Sequence, residues 1–359
     1  MLFSELFINR LRILESVDVR PAAGINQFVG PNGSGKTSVL EGIHLLSAGR
    51  SFRTRKTPSL LPKAAEELIL RASFTDPVSG LDHKAGMQKT RAGETNLKLD
   101  YQRLNSIVGI SRLLPVKVVS PDSHALVQEG PDQRRQFLDW GLFHVKPEFL
   151  QIWKDYRRAL QQRNQVLKHQ AGNAELQAWD EKVAASGELL NAMRLEYTET
   201  VVEQVNAIAP RLGLVPKVDL RYRRGWSADD SLSVALFAEQ QQTLKPAFTT
   251  VGPHRADLTL WANGKGAKET LSRGEQKLLV YALHMSQLQI AISVTGRRPI
   301  VLLDDLVAEL DVERQQLLQE ALLELECQVF ITGNKGLSTL IADSSKTFHM
   351  AAGKVLEVV

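Results

Sequence analysis

An eight-residue segment near the N-terminus has the residue types and spacing needed to hold a triphosphate. Residues 30–37 read Gly-Pro-Asn-Gly-Ser-Gly-Lys-Thr, which fits the pattern G-x-x-x-x-G-K-[S/T]. The glycines permit positive φ angles, so successive backbone amides can point at one phosphate group. The lysine reaches the β- and γ-phosphates as a point charge, and the threonine hydroxyl can bind Mg²⁺. The segment therefore predicts a site for ATP and Mg²⁺.

The residues around this loop are those of a strand before it and a helix after it. Residues 24–29 form a short apolar run, and residues 38–46 have apolar positions at helical spacing. This order places the phosphate at a helix N-terminus. A chance match is the alternative, and in a chain of this length its probability is about 1%. The candidate ATP-binding residues are Gly30, Pro31, Asn32, Gly33, Ser34, Gly35, Lys36, Thr37 and Ser38.

A second set of candidate residues lies far downstream, at the end of an apolar strand. Residues 300–303 are Ile-Val-Leu-Leu, and Asp304 and Asp305 follow directly. In ATPases with such a loop, a parallel strand delivers one carboxylate to Mg²⁺, and a neighbouring acid can orient the attacking water. We therefore predict Asp304 as a Mg²⁺ ligand with Thr37, Asp305 as the base, and Lys36 as the third catalytic residue. A helix N-cap is the alternative for the two acids.

Composition and length favour an ordinary soluble protein. The 359 residues are 43% hydrophobic and 23% charged, with a net charge of +4, which permits a nucleic-acid partner without requiring one. A single cysteine, Cys327, is typical of a reducing compartment and beside an apolar run is expected to be buried. Glu5 and Arg10 are unlike a signal peptide, and no apolar stretch is expected to approach the length of a membrane span. We expect a cytoplasmic protein without membrane contact.

A third candidate anion site precedes a long helical pattern. Residues 271–276 read Leu-Ser-Arg-Gly-Glu-Gln, and the serine hydroxyl and glycine amide of Ser272 and Gly274 would lie at the helix N-terminus. The hexapeptide resembles the Leu-Ser-Gly-Gly-Gln signature of ABC-type ATPases, with Arg273 and Glu275 departing from it. That resemblance implies contact with ATP held by a second subunit. An ordinary capped helix is the alternative.

Residues 307–311, Val-Ala-Glu-Leu-Asp, match the D-loop of the same ATPases, where Asp311 would cap the next helix and lie at a subunit interface. Thr332 and Asn334 stand where transporters place a γ-phosphate-sensing histidine. The predicted fold class is α/β, an ABC/SMC-type P-loop ATPase head of mixed sheet and flanking helices with an inserted, mainly helical arm. Residues 1–120 and 246–359 are assigned to the head and residues 121–245 to the arm.

The chain resembles the RecF family of SMC-like ATPases over essentially its whole length. The motifs that carry the resemblance are residues 30–37, 49–53 (Gly-Arg-Ser-Phe-Arg), 120–122 (Ser-Pro-Asp), 130–139 (Gly-Pro-Asp-Gln-Arg-Arg-Gln-Phe-Leu-Asp), 271–276 and 303–311. Residues 252–257 also match, without a readable role. The family often has Phe-Arg-Asn in its first hairpin, whereas this chain has Leu11-Arg12-Ile13. Arg12 is therefore a weaker candidate contact to ATP.

The resemblance implies an ATP-dependent homodimer that binds gapped or double-stranded DNA in recombinational repair and replication-fork maintenance. It also implies cooperation with RecO and RecR to load RecA on single-stranded DNA. The absence of the switch histidine, and an aspartate where many relatives have a glutamate base, indicate slow hydrolysis that serves as a release switch. The alternatives are an ABC-transporter subunit, a different SMC-like repair ATPase, and a scaffold that binds ATP without cleaving it.

The middle of the chain is expected to form two helices, from 148 to 170 and from 173 to about 209. Leu176, Val183, Leu190 and Tyr197 recur at seven-residue intervals, which favours an antiparallel helical pair with an internal apolar seam. Basic clusters occur along the chain, one of which includes Arg163. Each cluster alone could be a solvated face, but together they could bind DNA through its backbone. The candidate DNA-binding residues are Arg55, Lys56, Arg134, Arg135, Arg157 and Arg158.

Overall fold

The computed structural model describes residues 1–169, 172–241, 247–305, 310–334 and 345–359. They divide into two compact units, the first comprising 1–123, 211–213 and 291–359, and the second 124–210 and 214–290. The first boundary lies close to the predicted one. Residues 247–290, which the sequence analysis assigned to the head, group instead with the helical second unit. The predicted domain limits themselves stay a prediction.

Strands supply both sheets of the first unit and one small sheet of the second. In the described residues the strands are β1 Leu2–Leu11, β2 Leu14–Val19, β3 Ile25–Val29, β4 Glu67–Thr75, β5 Asp82–Thr90, β6 Thr95–Leu99, β7 Gln102–Leu104, β8 Val116–Val119, β9 Val218–Arg223, β10 Asp257–Ala262, β11 Lys265–Gly266, β12 Ile300–Leu303, β13 Val329–Gly333, β14 Lys346–Ala351 and β15 Lys354–Val358.

Helices make up most of the second unit. Over the same described ranges the α-helices are α1 Lys36–Ala48, α2 Val108–Leu113, α3 Ala125–Gln128, α4 Pro131–Val145, α5 Phe149–His169, α6 Asn173–Ile208, α7 Leu232–Gln240, α8 Ala267–Thr270, α9 Arg273–Thr295 and α10 Val312–Glu324. The predicted helices at 148–170 and 173–209 correspond to α5 and α6. Residues 170 and 171 lie outside the described residues.

The first unit contains two six-stranded sheets. One is antiparallel, in the order β2-β1-β4-β5-β6-β7, and the other has the order β15-β14-β3-β13-β12-β8. In the second sheet β14, β3, β13, β12 and β8 run parallel, and only β15 is antiparallel. Strands β3 and β12 are buried at every position, as expected of parallel strands covered on both faces. The mixed sheet predicted for the head is confirmed.

Five phenylalanine rings connect the two sheets of the first unit. Phe3 of β1 makes edge-to-face contacts with Phe74 and with Phe330, at centroid distances of 6.1 and 6.0 Å. Phe28 of β3 stacks between Phe330 and Phe348, at 6.4 and 4.8 Å. All five side chains are buried. Aromatic pairs at these distances add about 0.5–1.5 kcal/mol each beyond area burial, so they hold the P-loop strand firmly in the core.

The apolar seam predicted for the helical pair is internal to the second unit. Helices α5 and α6 pack together, and Leu176, Val183, Leu190 and Tyr197 are all buried. A close helix approach occurs at Gly141 of α4, where an added Cβ would lie 2.0 Å from the hydroxyl oxygen of Tyr197. The seam therefore serves the core of this unit.

Helix α9 corrects one expectation from the sequence. By length and composition it could cross a membrane, with a mean hydropathy of 1.4 over its most apolar window. The statement that no apolar stretch approaches that length is therefore wrong. Since 72% of this window is buried inside the protein, the helix has the exposure of a core helix. Cys327 is buried as expected, and burial raises the pKa of its thiol to about 12.

Arg163 is an interior side chain and not part of a basic surface. Its guanidinium is fully buried and donates to Asp180 at 2.5 Å and to Glu239 at 2.9 Å. A further hydrogen bond, of 2.8 Å, goes to the hydroxyl of Thr249. Burial is the main cause that raises the pKa of Asp180, since the carboxylate loses hydration. The arginine thus neutralises two carboxylates that would otherwise be buried without a counter-charge.

Replacing Arg163 by Met should lower the free energy of unfolding by about 3–5 kcal/mol, because the buried Glu239 carboxylate and the half-buried Asp180 carboxylate lose their cation. Urea denaturation followed by tryptophan fluorescence measures this change. The matched control is Arg158→Met on the exposed side of the same helix, which should change the stability by no more than about 0.5 kcal/mol. Equal losses for the two variants would contradict the assignment.

Candidate nucleotide site

The loop between β3 and α1 requires glycine at two positions for reasons of space as well as conformation. Gly30 and Gly35 have φ angles of 154° and 106°. A Cβ on Gly30 would lie 2.2 Å from the carbonyl oxygen of Met350, and one on Gly35 would lie 2.6 Å from the Cδ2 atom of Leu14. Neighbouring strands thus press against the loop from outside, and a residue with a side chain would displace it.

The side chains of this loop fit a phosphate ligand. The Lys36 ammonium donates to the carbonyl oxygens of Gly30 and Pro31 at 2.8 and 3.0 Å, and to the amide oxygen of Asn334 at 3.3 Å. The hydroxyl of Ser34 is buried and has no hydrogen-bond partner within the described residues. A buried donor without an acceptor is costly, and a phosphate oxygen would satisfy it. The residues present therefore suit a nucleoside triphosphate.

A hydrogen-bonded network joins the first turn of α1 to the ends of β12 and β13. The Thr37 hydroxyl donates to Asp304 Oδ1 at 2.8 Å, and the Thr332 hydroxyl donates to the same oxygen at 2.7 Å. The backbone N–H of Asp305 donates to the Thr332 oxygen at 3.1 Å. Carboxyl ends of adjacent parallel strands meet at one sheet edge, where ligands bind in such folds. Thr37 and Asp304 are thus adjacent, as a shared Mg²⁺ would require.

Asp304 is buried, and this burial is the main cause that raises the pKa of its carboxyl above the ordinary range. The hydrogen bonds from Thr332 and Thr37 act in the opposite direction, since they stabilise the carboxylate. The ionised group is therefore held in a costly environment that a divalent cation would relieve. Asp305 is less buried and has a φ of 53°, the left-handed region that is uncommon outside glycine and asparagine.

Glu41 is a central residue of this region that the sequence analysis did not identify. Its carboxylate is fully buried on α1 and receives a bidentate pair from Arg12, at 2.9 and 2.8 Å. The Ser51 hydroxyl also donates to it, and Arg53 lies 3.7 Å away. The sequence signal that could have identified Glu41 is an acidic residue on the apolar face of a helix. The Arg12 guanidinium also donates to the carbonyl oxygen of Ser59. The predicted contact of Arg12 with ATP stays a prediction.

The predicted signature serine begins α9 with a reciprocal cap. The Ser272 hydroxyl donates to Glu275 at 2.7 Å, the Ser272 N–H donates to the same carboxylate oxygen at 2.8 Å, and the Glu275 N–H donates back to the hydroxyl at 3.3 Å. This is a capping box, the alternative given above. Ser272 is exposed and Gly274 is half-buried. Both belong to the second unit, whereas the P-loop belongs to the first.

Asp311 caps α10, as predicted. Its side chain accepts a hydrogen bond of 2.9 Å from the backbone N–H of Arg314, and the side chain is exposed. Residues 307–309 of the predicted D-loop lie outside the described residues. The contact of Asp311 with a second subunit stays a prediction.

The candidate DNA-binding residues have different environments. Arg134 forms a bidentate pair with Asp257, and Arg135 donates to the carbonyl of Ala256 and pairs with Asp132. These two side chains have internal partners and are only 11% and 15% exposed, which weakens the case for phosphate contact. The other four candidates are exposed: Arg55, Lys56, Arg157 and Arg158.

Residues 252–257, whose role could not be read from sequence, form a structural junction within the second unit. The imidazole of His254 accepts from the Tyr156 hydroxyl at 2.6 Å and donates to the Thr249 carbonyl at 3.0 Å. Burial is the main cause that lowers the pKa of His254, which keeps the ring neutral. Arg194 donates to the carbonyl of Pro253 at 2.8 Å. Within the described residues there is no cluster of three histidine, cysteine or acidic side chains that could hold a metal.

Known proteins match this chain over nearly its whole length. A family model described as the RecF/RecN/SMC N-terminal domain matches residues 2–355. The protein named "DNA replication and repair protein RecF" of Shewanella sediminis is 36% identical over 358 residues, with 99% of each chain covered. The protein of the same name from Thioalkalivibrio sulfidiphilus is 37% identical over 355 residues, with 98% of each chain covered. The chain belongs to the RecF family.

Solved structures agree with this family assignment. One titled "Structure of the recombination mediator protein RecF-ATPrS in RecFOR pathway" superposes with a TM-score of 0.88 at 26% identity, over 98% of this chain and 97% of that one. A crystal structure of an SMC head bound to a winged-helix domain of ScpA gives a TM-score of 0.59 at 16% identity, over 100% and 98% of the two chains, and shares the fold alone. The matches favour the repair family over the transporter alternative.

The burial of Asp304 predicts that the carboxylate proposed to bind Mg²⁺ lowers the stability of the metal-free protein. Because the folded-state pKa is raised, ionisation costs stability; the cost is absent below the unfolded value and grows as pH rises through the folded one. In EDTA at pH 8, Asp304→Asn should therefore be more stable than the parent, and the difference should shrink toward pH 4. Denaturant unfolding across this range measures it.

The matched control is Asp311→Asn at the exposed cap of α10, since asparagine caps a helix about as well as aspartate. It should show no gain that depends on pH in this way. An Asp304→Asn protein that is less stable than the parent at pH 8 would contradict the role given to burial.

Proposed function

We propose that this RecF-family chain is an ATP-dependent DNA-binding protein of recombinational repair and replication-fork maintenance. The observation that carries the proposal is the network in which Thr37 and Thr332 share one oxygen of Asp304 beside the P-loop. It supports binding of a triphosphate together with Mg²⁺, and the relatives carry the name of a DNA replication and repair protein. The solved relative described as RecF-ATPrS supports a ligand of the same kind.

ATP binding joins two copies of the chain in this proposal. Lys36, Thr37 and Asp304 contact the triphosphate from the copy that holds it, and Ser272 and Gly274 contact it from the partner copy. The exposure of Ser272 at a helix N-terminus supports this role, because such a terminus attracts anions. Asp311 lies at the subunit boundary in the same scheme. Closure of the pair traps DNA, and cleavage of the triphosphate releases it.

Each residue of the candidate site has one task in hydrolysis. Lys36 orients the β- and γ-phosphates, Thr37 and Asp304 hold Mg²⁺, and Asp305 polarises the attacking water. When bound, Mg²⁺ neutralises charge on the phosphates. A short aspartate as base, with Thr332 and Asn334 in place of a switch histidine, supports slow turnover. Such turnover suits a timer, and we propose that DNA stimulates it.

The substrate in this proposal is gapped or double-stranded DNA, bound through its phosphates and without sequence readout. The exposed cations Arg55, Lys56, Arg157 and Arg158 are the residues that support it. We further propose that the chain acts in the cytoplasm with RecR and RecO to load RecA on single-stranded DNA. A solved relative described as a recombination mediator in the RecFOR pathway supports these partners.

Two substitutions separate ATP binding from hydrolysis. Lys36→Met should abolish ATP-dependent dimerisation, because the phosphates lose their cation. Asp305→Asn should lower the hydrolysis rate by about 10²–10⁴-fold and produce a long-lived ATP dimer on DNA, because only the base is lost. Sedimentation velocity with and without ATP, Mg²⁺ and gapped duplex measures both. If both variants stay monomeric and bind DNA like the parent, the switch is refuted.

Mixing two inactive variants tests the shared site directly. Ser272→Arg blocks the partner face, and Lys36→Met prevents ATP from joining two Lys36→Met copies, so neither variant alone forms an active dimer, while a mixed dimer keeps one intact composite site. We expect an equimolar mixture to recover up to about a quarter of parental hydrolysis, the value for random pairing, in which half of the dimers are mixed and each has one of two sites intact. Hydrolysis no higher than that of either variant alone would contradict ATP held between two copies.

A further inference from the structure

A cleft of about 1080 Å³ lies along the antiparallel sheet within the first unit, and Lys346, Phe348 and Val358 of β14 and β15 also line it. Leu6, Leu70 and Met87 point from this sheet into the core, so their strand neighbours point outward into the cleft. Strand pairing places the outward residues in one row across five strands. The row consists of Asp18, Phe7, Arg71, Gly86 and Lys98.

The cleft is predominantly cationic. Five cations line it, Arg20, Arg71, Lys84, Lys98 and Lys346, against two acids, Glu5 and Asp18, which leaves a net charge of +3. The Glu5 carboxylate lies 3.6 Å from the Arg20 guanidinium, so these two charges offset each other. Over the described ranges of the chain, Arg71, Lys84 and Lys98 form no ion pair. Lys84 has a hydrogen bond with the Tyr101 side chain, which raises the pKa of its ammonium and keeps it charged, so three cations remain available to an external anion.

These three cations surround one bare stretch of backbone. Gly86 lies directly opposite Arg71 on one side and Lys98 on the other. With strands about 4.8 Å apart, the two cationic residues are roughly 10 Å apart across the glycine. Lys84 is two residues earlier on the same strand, about 7 Å away on the same face. We call this place, defined by Gly86, Arg71, Lys84 and Lys98, the Gly86 notch.

Nothing in the sheet itself requires glycine at position 86. Its φ is not in the left-handed region, and the pairing of β5 with β4 and with β6 continues without a bulge. A Cβ there would meet no atom nearer than the Leu70 carbonyl oxygen, at 3.9 Å. Glycine inside a strand is destabilising, and in the absence of a bulge it indicates close approach of another group to the backbone. Such a group can approach Gly86 through the open space of the notch.

We propose that the Gly86 notch binds an acidic, extended segment of a partner protein, with one carboxylate over Gly86 between Arg71, Lys84 and Lys98. The remaining lining favours a peptide over a nucleic acid. Asp18 lies in the same row and would repel a continuous run of phosphates, whereas a peptide offers N–H groups to it. The cationic end would take the carboxylates of the segment. The occupant thus presents carboxylates to the cations and backbone N–H groups to Asp18.

Aromatic side chains in the cleft support the same choice. The Arg71 guanidinium lies 5.6 Å above the Phe7 ring, and the Lys84 ammonium lies 5.7 Å from the ring of Tyr101. The Phe7 ring thus has one face covered by a cation of the chain itself, which removes that face as a platform for an unpaired base. The same contacts hold the two cations at the edge of the notch, where they are available to a carboxylate.

The test is a titration of the full-length protein with a fluorescein-labelled (Glu-Ser)₄ peptide, followed by fluorescence anisotropy at low salt. In this peptide the carboxylates lie on one face of an extended chain. Gly86→Val should weaken binding at least tenfold by filling the notch, and its thermal midpoint should not fall, since valine suits a strand. Arg71→Gln combined with Lys98→Gln should weaken binding similarly by removing charge.

Lys63→Gln is the matched control, because Lys63 is an exposed cation of the same unit outside the cleft, and it should change the affinity by less than twofold. The peptide affinity of Gly86→Ala should lie between that of the parent and that of Gly86→Val. The effect of filling the notch can therefore still be measured if Gly86→Val has a folding defect. Equal affinity of the peptide for parent and Gly86→Val would overturn the proposal. A labelled oligothymidylate that binds more tightly and loses affinity with the same substitutions would assign the notch to nucleic acid. ATP-dependent dimerisation of Gly86→Val should match that of the parent, which separates this test from that of the proposed function.

Discussion

The hydrogen bond from Thr37 to Asp304 is the constraint on which the candidate site depends. It spans 2.8 Å between the first turn of α1 and the end of β12, two elements separated by more than 260 positions in the chain. Thr332 supports the same carboxylate from β13, so three neighbouring elements converge on one oxygen. Because Asp304 is buried, the arrangement tolerates little displacement, and the stacked rings around Phe28 keep the P-loop strand beside it.

Buried ion pairs have a second, structural role in this chain. Glu41 on α1 is neutralised by Arg12, and Arg163 on α5 neutralises two acids of the second unit. The Arg163 guanidinium is not free to bind phosphate, because its release would leave a buried carboxylate unpaired. The same reasoning applies in part to Arg134, which is paired with Asp257. Counting cations along the sequence therefore overstates the basic surface.

Glycine has two distinct uses in the first unit. In the P-loop, Gly30 and Gly35 are required by positive φ angles and by contacts that leave no room for a Cβ. At Gly86 the backbone is ordinary and space is open, so the missing side chain serves a surface and not the fold. The sequence shows a glycine in both cases. The two uses can therefore be distinguished only from the atoms that surround each Cα.

The sequence alone determined the features encoded by residue type at short spacing. These are the P-loop and its strand and helix, the acidic strand, the cap at Asp311 and the heptad seam of α6, because local chemistry and periodicity specify them. Only the tertiary structure decided which side chains meet across long separations: Thr332 with Asp304, Glu41 with Arg12, and Arg163 with its two acids. The grouping of residues 247–290 with the helical unit was decided there too. Such pairings depend on burial and on strand order, and neither is written in the spacing of residues along the chain.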